Sequence, residues 1–186
     1  SEERGAVLFD LCAQCHAADG RGNRLFLAPS IAGLDEWYVA GQLQKFRSGA
    51  RGTHPDDVGG MRMRPMSLTL MSDEDVAIVA AFVSGLAATE PPPVIEGGDP
   101  VRGESLYVTC VACHGAQGEG NEALSGPPLR NMSDWYLFEQ INNFKSGVRG
   151  SDPRDATGIM MRPMAMILVS DQDVSDVVAY ITTLSK

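Results

Sequence analysis

Two short runs in this chain could do chemistry on their own: Cys12-Ala13-Gln14-Cys15-His16 and Cys110-Val111-Ala112-Cys113-His114. Each places two thiols one helical turn apart with an imidazole directly after the second. That is the C-x-x-C-H spacing of covalent haem attachment. Each thiol can bond one vinyl-derived carbon of a porphyrin, and the adjacent histidine is then held over the iron as its proximal ligand. Two other readings use the same residues. A redox-active dithiol would sit in a βαβ setting, and no strand alternation accompanies either run. A zinc half-site would need four tetrahedral ligands, which two distant Cys-Cys-His groups supply awkwardly. The recurrence of the whole motif favours two covalently attached haem c groups.

An iron held by one histidine needs a sixth ligand or keeps an open position. A shared scheme requires candidates that recur in both copies. His54 is the one further histidine, and Asp152 stands at its counterpart, so bis-histidine ligation in both copies is excluded. His54 is expected on a solvent-facing loop. The methionines do recur: Met63-Arg64-Pro65-Met66 matches Met161-Arg162-Pro163-Met164. Thioether sulfur is a soft ligand suited to haem iron, and His/Met ligation raises the reduction potential. Either methionine of each pair can fill that role, and Met61, Met160 and Met166 are assigned to packing.

These matches belong to a wider repeat. Displaced by 98 residues, the chain matches itself without a gap, from Arg4-Gly5 on Arg102-Gly103 through Trp37-Tyr38 on Trp135-Tyr136 to Ser72-Asp73 on Ser170-Asp171. Such a register means two copies of one fold. Residues 1–88 and 100–186 are read as the domains. The stretch 89–99, with Pro91-Pro92-Pro93 and Gly97-Gly98, is read as a linker that is stiff in its first part.

Helical signals dominate each copy, so the expected class is all-α. Ser72 and Ser170 are good N-caps, each with an aspartate three positions on. Val76, Val79, Val83 and Leu86 then recur at helical spacing, as do Val174, Val177, Ile181 and Leu184. Residues 37–46 and 135–144 form a second helix. Residues 4–13 and 102–112 form a first, running into the cysteine pair. Three main helices joined by long Gly/Pro-rich loops make a marginal core for a domain this small. A large apolar cofactor wrapped by those loops would complete it.

The formal charge is −9, and apolar residues make up 44% of the chain. The acidic balance argues against nucleic acid and against anionic lipid. It favours a basic or mixed-charge protein as partner, which the haem reading makes a redox protein. No run approaches the ~20 apolar residues that span a bilayer, although peripheral association with a membrane complex stays open. The chain starts at Ser1, and a removed leader would explain that start.

The quoted residues resemble the class I cytochromes c, and the duplication resembles the dihaem cytochrome c4 family across essentially the whole chain. The resemblance implies periplasmic electron transfer, two domains related by a pseudo-twofold axis, and haem edges that approach each other. It implies that Pro29 and Pro127 accept a hydrogen bond from the ligating His16 and His114. It implies Met63 and Met161 as the distal ligands. One extra residue before the helix cap departs from the family pattern and keeps Met66 and Met164 as fallbacks. Trp37, Tyr38, Trp135 and Tyr136 fall where that family packs aromatics near the haem edge. Arg51 and Arg149 fit either a propionate contact or a solvated loop.

With both irons six-coordinate no position remains for a substrate, so electron transfer is expected and catalysis is not. Three roles compete. The first is a carrier feeding a terminal oxidase or reductase. The second is the electron-accepting subunit of a dehydrogenase, such as one that partners a sulfide-oxidising flavoprotein. The third is an enzyme of the dihaem peroxidase or thiosulfate-oxidising kind, which the paired methionines disfavour. Arg21 and Arg24 become Glu119 and Glu122 in the second copy. Negative charge favours ferric iron, so the second haem is expected at the lower potential.

Overall fold

A computed structural model describes residues 2–184. The chain divides between Thr89 and Glu90 into two compact units. Among the described residues there are nine α-helices and no strand; single bridges at Asn23–Ala28 and Asn121–Gly126 are the only β pairings.

The first unit holds α1 (Glu2–His16), α2 (Glu36–Ser48), α3 (Val58–Ser67) and α4 (Asp73–Gly85). Helix α4 begins where Ser72 Oγ accepts the Asp75 N–H at 3.1 Å, satisfying one orphan donor of the first turn. Its buried stripe of Val76, Val79 and Val83 packs with Phe9 from α1 and Leu43 from α2. Each such side chain contributes about 1.5–3 kcal/mol by leaving water. Helix α2 stops at Gly49, whose φ of 79° is the left-handed cap that glycine takes at least cost.

The second unit repeats this plan with α5 (Pro100–Tyr107), α6 (Val111–His114), α7 (Asp134–Ser146), α8 (Ala156–Ala165) and α9 (Asp171–Thr183). Helix α9 carries a complete capping box, Ser170 and Asp173 each accepting from the other's backbone N–H. Where α1 runs unbroken to His16, its counterpart breaks at residues 108–110. Val108-Thr109 replaces Asp10-Leu11, and the Thr109 hydroxyl donates to the Leu106 carbonyl at 3.2 Å. Stiff β-branched side chains and that competing bond weaken the helix there.

The segment expected to be a methionine-bearing loop is a ten-residue helix in each unit, α3 and α8, with Pro65 and Pro163 inside. Asp57 and Asp155 cap these helices through the Gly60 and Gly158 N–H, at 2.9 and 3.0 Å. A Cβ on Gly60 would stand 2.0 Å from the Asp57 carboxylate, and one on Gly158 2.1 Å from Asp155. Only glycine lets the buried cap come that close.

Residues 94–99 are tied to the second unit. The Val94 and Ile95 N–H groups both donate to buried Asp134 at 2.7 Å, and the Asp99 N–H donates to Asp176 at 2.8 Å. Asp176 also pairs with Arg102, which bridges to Asp173. Burial pushes the Asp176 carboxyl up, but its hydrogen bonds outweigh that and leave it below the usual carboxylate range. The Ser170 N–H and the Arg102 guanidinium hold Asp173 at about 2. Asp173 therefore adds stability that is present above pH ~4 and lost as the pH falls toward about 2, and the lowered Asp176 acts in the same direction. Thermal melts between pH 5 and pH 2.5 should show the second unit losing stability, and Asp173→Asn should flatten that dependence.

Candidate haem sites

His16 ends α1 and His114 ends α6, and both imidazoles are buried. The chain then loops out and returns at a proline. The Nδ1–H of His16 donates to the Pro29 carbonyl at 2.8 Å, and that of His114 to the Pro127 carbonyl at 2.8 Å. A carbonyl can only accept, so Nδ1 carries the proton and Nε2 keeps its lone pair. Burial pushes both imidazoles below the usual histidine range, against the upward pull of the proline bonds. Each is thus a neutral ring with one fixed orientation and a free σ-donor, which is what a metal-ligating histidine needs.

None of the four cysteines is in a disulfide, and each is half-buried. Burial pushes the Cys12 and Cys110 thiols up, with their neighbours Cys15 and Cys113 adding to the effect. A redox dithiol would show the opposite shift, toward thiolate. Among the described residues no group of three or more His, Cys, Asp or Glu is placed to hold a metal ion.

Met63 packs against the core cluster of Phe9, Leu43, Leu70, Val76, Val79 and Val83, and Cys12 packs against the same cluster. Met66 does not belong to it. In the second unit Met161 is half-buried, whereas Met164 is 39% exposed. Met61, Met160 and Met166 are exposed on the polypeptide.

Arg51 and Arg149 are buried. Arg51 lies 4.4 Å over the Phe46 ring and donates to Gln42 Oε1 at 2.8 Å; Arg149 lies 4.5 Å over Phe144 and donates to Gln140 Oε1 at 3.0 Å. A buried guanidinium suits a carboxylate far better than it suits an apolar wall. Gln42 and Gln140 recur in register, but nothing in the sequence marks them as partners of these arginines. Trp37 meets Tyr38 edge-on at 5.8 Å, and Trp135 meets Tyr136 at 5.9 Å. His54 is exposed beside Asp56. Phe9 of the first unit is Tyr107 in the second, both buried, and the Tyr107 hydroxyl donates to the Gly115 carbonyl at 2.8 Å, next to His114.

Paired thiols, a neutral oriented imidazole, a sulfur-bearing helix and a buried cation fit a haem in each unit, and the class this defines is the tandem cytochrome c. The cytochrome c family model matches residues 2–87 and again 100–185. The chain is 36% identical to a thiosulfate dehydrogenase electron acceptor of Stutzerimonas stutzeri over 94% of this chain and 79% of the relative. It is 30% identical to cytochrome c4 of Azotobacter vinelandii over 94% and 84%. The crystal structure of reduced cytochrome c4 from Pseudomonas stutzeri superposes with a TM-score of 0.74 at 28% identity, covering 98% of this chain and 97% of that one. The chain belongs to the dihaem cytochrome c4 family. It carries two covalently attached haem c groups and transfers electrons between redox partners; it is not an enzyme. No helix among the described residues is long and apolar enough to cross a membrane.

Proposed function

We propose that the protein is a periplasmic carrier that takes electrons from one redox protein and delivers them toward a terminal oxidase or reductase. The observation that carries this reading is the matched pair of buried imidazoles, each with Nδ1–H fixed on a proline carbonyl at 2.8 Å. His16 and His114 donate through Nε2. Met63 and Met161 supply sulfur on the far side, a reading supported by Met63 sharing a core cluster with Cys12. Cys12, Cys15, Cys110 and Cys113 anchor the porphyrins. Arg51 and Arg149 neutralise propionates, steadied by Gln42 and Gln140. Trp37, Tyr38, Trp135 and Tyr136 keep the pockets dry. Haem c supplies a one-electron couple, and a ligand set that both oxidation states share keeps reorganisation small.

A second reading, the electron acceptor of a dehydrogenase, is favoured by the relative that bears that role in its name. The two readings part on one experiment with the holoprotein. Reduced protein mixed with oxidase-containing membranes should be reoxidised in a cyanide-sensitive reaction. Absence of reoxidation, with rapid reduction by thiosulfate plus a thiosulfate dehydrogenase, would favour the acceptor role.

The charge change at Glu119 and Glu122 bears on direction. Both side chains are exposed, as are Arg21 and Arg24, so screening limits their effect. The second haem should titrate lower by an amount on the order of tens of millivolts. Glu119→Gln with Glu122→Gln should narrow the gap; a second haem at equal or higher potential would contradict the assignment.

A further inference from the structure

The loop that leaves His114 differs from the loop that leaves His16 at positions that meet in space. Tyr107 replaces Phe9, Gly115 replaces Ala17 and Glu119 replaces Arg21. The buried Tyr107 hydroxyl reaches from the end of α5, across the break before α6, to the Gly115 carbonyl at 2.8 Å. Burial pushes that hydroxyl up, with the Glu119 charge among those that add to it, so it stays protonated and donates. The Gly115 carbonyl also accepts the Gly118 N–H at 3.3 Å. The Ala17 carbonyl has the matching bond from Gly20 at 3.0 Å, but Phe9 offers it no hydroxyl.

Glycine at 115 makes room for a carboxylate. It takes φ 81° and ψ 156°, a conformation that glycine alone adopts readily. A Cβ there would overlap the Glu119 carboxyl group, which therefore lies against the residue that follows His114. The N–H of Glu119 itself and that of Gln117, which donates to Oε2 at 2.7 Å, hold this carboxyl below the usual carboxylate range, and Arg130 adds a smaller pull. In the first unit the carboxylate is Asp19, and Arg21 pairs with it at 3.7 Å. Residues 17–21 are thus neutral where residues 115–119 carry a negative charge. Glu122 sits further on, in the exposed turn Glu122–Leu124.

We propose that Tyr107 and Gly115 are positioning residues that hold the Glu119 carboxylate against the peptide following His114, so that Glu119 and not Glu122 lowers the potential of the second haem. The proposal rests on the reading of that haem as the lower one and names the residues responsible. A charge fixed in place acts on the iron more strongly than one that swings into water, where screening and averaging weaken it.

Redox titration of the holoprotein with optical detection tests this. Glu119→Gln should close about half or more of the gap between the two steps, and Glu122→Gln little of it. Glu119→Asp keeps the charge but draws it back from Gly115 by one methylene, and it should narrow the gap as well. Tyr107→Phe, which installs the residue of the first unit, should raise the second potential, yet add nothing once Glu119→Gln is present. A merely structural tyrosine would shift the potential equally in both backgrounds. Haem content and the ~695 nm band should be the same in every variant. A gap closed by Glu122→Gln and not by Glu119→Gln overturns the proposal and leaves the charge reading standing. Equal Tyr107→Phe shifts with and without Glu119→Gln do the same. Should Tyr107→Phe load too little haem to titrate, Glu119→Asp decides: a gap equal to that of wild type overturns the positioning role. A gap that survives both glutamine variants together overturns the charge reading itself.

Discussion

Met161→Ala should lower the potential of the second haem by an amount on the order of 0.1–0.3 V, a substantial part of the range that axial ligands span. Thioether sulfur favours ferrous iron, and water or hydroxide in its place favours ferric. Half of the weak ~695 nm band of sulfur-ligated ferric haem should disappear, and the first haem should keep its potential. The companion Met164→Ala separates the two methionines of the pair. Met164 is 39% exposed and Met161 half-buried, so Met164→Ala should leave band and potential unchanged. Redox titration with optical detection reads both. The reverse pattern would move the ligand to Met164, and by the repeat to Met66.

Cys110→Ser with Cys113→Ser should cost the second unit its haem and much of its fold. Its core is thin: Tyr107, Leu137, Phe144, Leu168 and the α9 stripe of Val174, Val177, Val178 and Ile181. A domain of fewer than about 100 residues buries too little surface to be more than marginally stable. Around the site Leu124, Ile159 and Ile167 are exposed, and water must cover whatever a porphyrin does not. The variant should therefore carry one haem per chain and lose one of two thermal transitions, while the first unit melts as before. A second unit that melts normally without its haem would show that the cofactor is not part of its core.

The chemistry was legible because it rests on short-range spacing. C-x-x-C-H, the methionine pair and the Ser72 and Ser170 caps are local signals, and the 98-residue register let each copy check the other. What escaped depends on contacts between residues distant in sequence. Gly59, Gly60 and Pro65 read as loop formers, yet they lie in a helix because Asp57 caps it and α2 packs on it. Arg51 fits a solvated loop by position alone; its burial follows from Phe46 and Gln42, which α2 brings beneath it. The linker gives no sign in its own residues that Asp134 and Asp176, whose counterparts are Glu36 and Ile78, bind its second half. The break between α5 and α6 falls at Val108-Thr109, two β-branched residues where α1 has Asp10-Leu11.

Both sites depend on one covalently held haem in each unit. The mass of the denatured holoprotein, taken after extraction with acidified organic solvent, tests that directly. The polypeptide should keep its colour and weigh more than the chain by two haems. A colourless chain at the mass of the bare polypeptide would contradict the attachment at Cys12, Cys15, Cys110 and Cys113, and with it the reading of both sites.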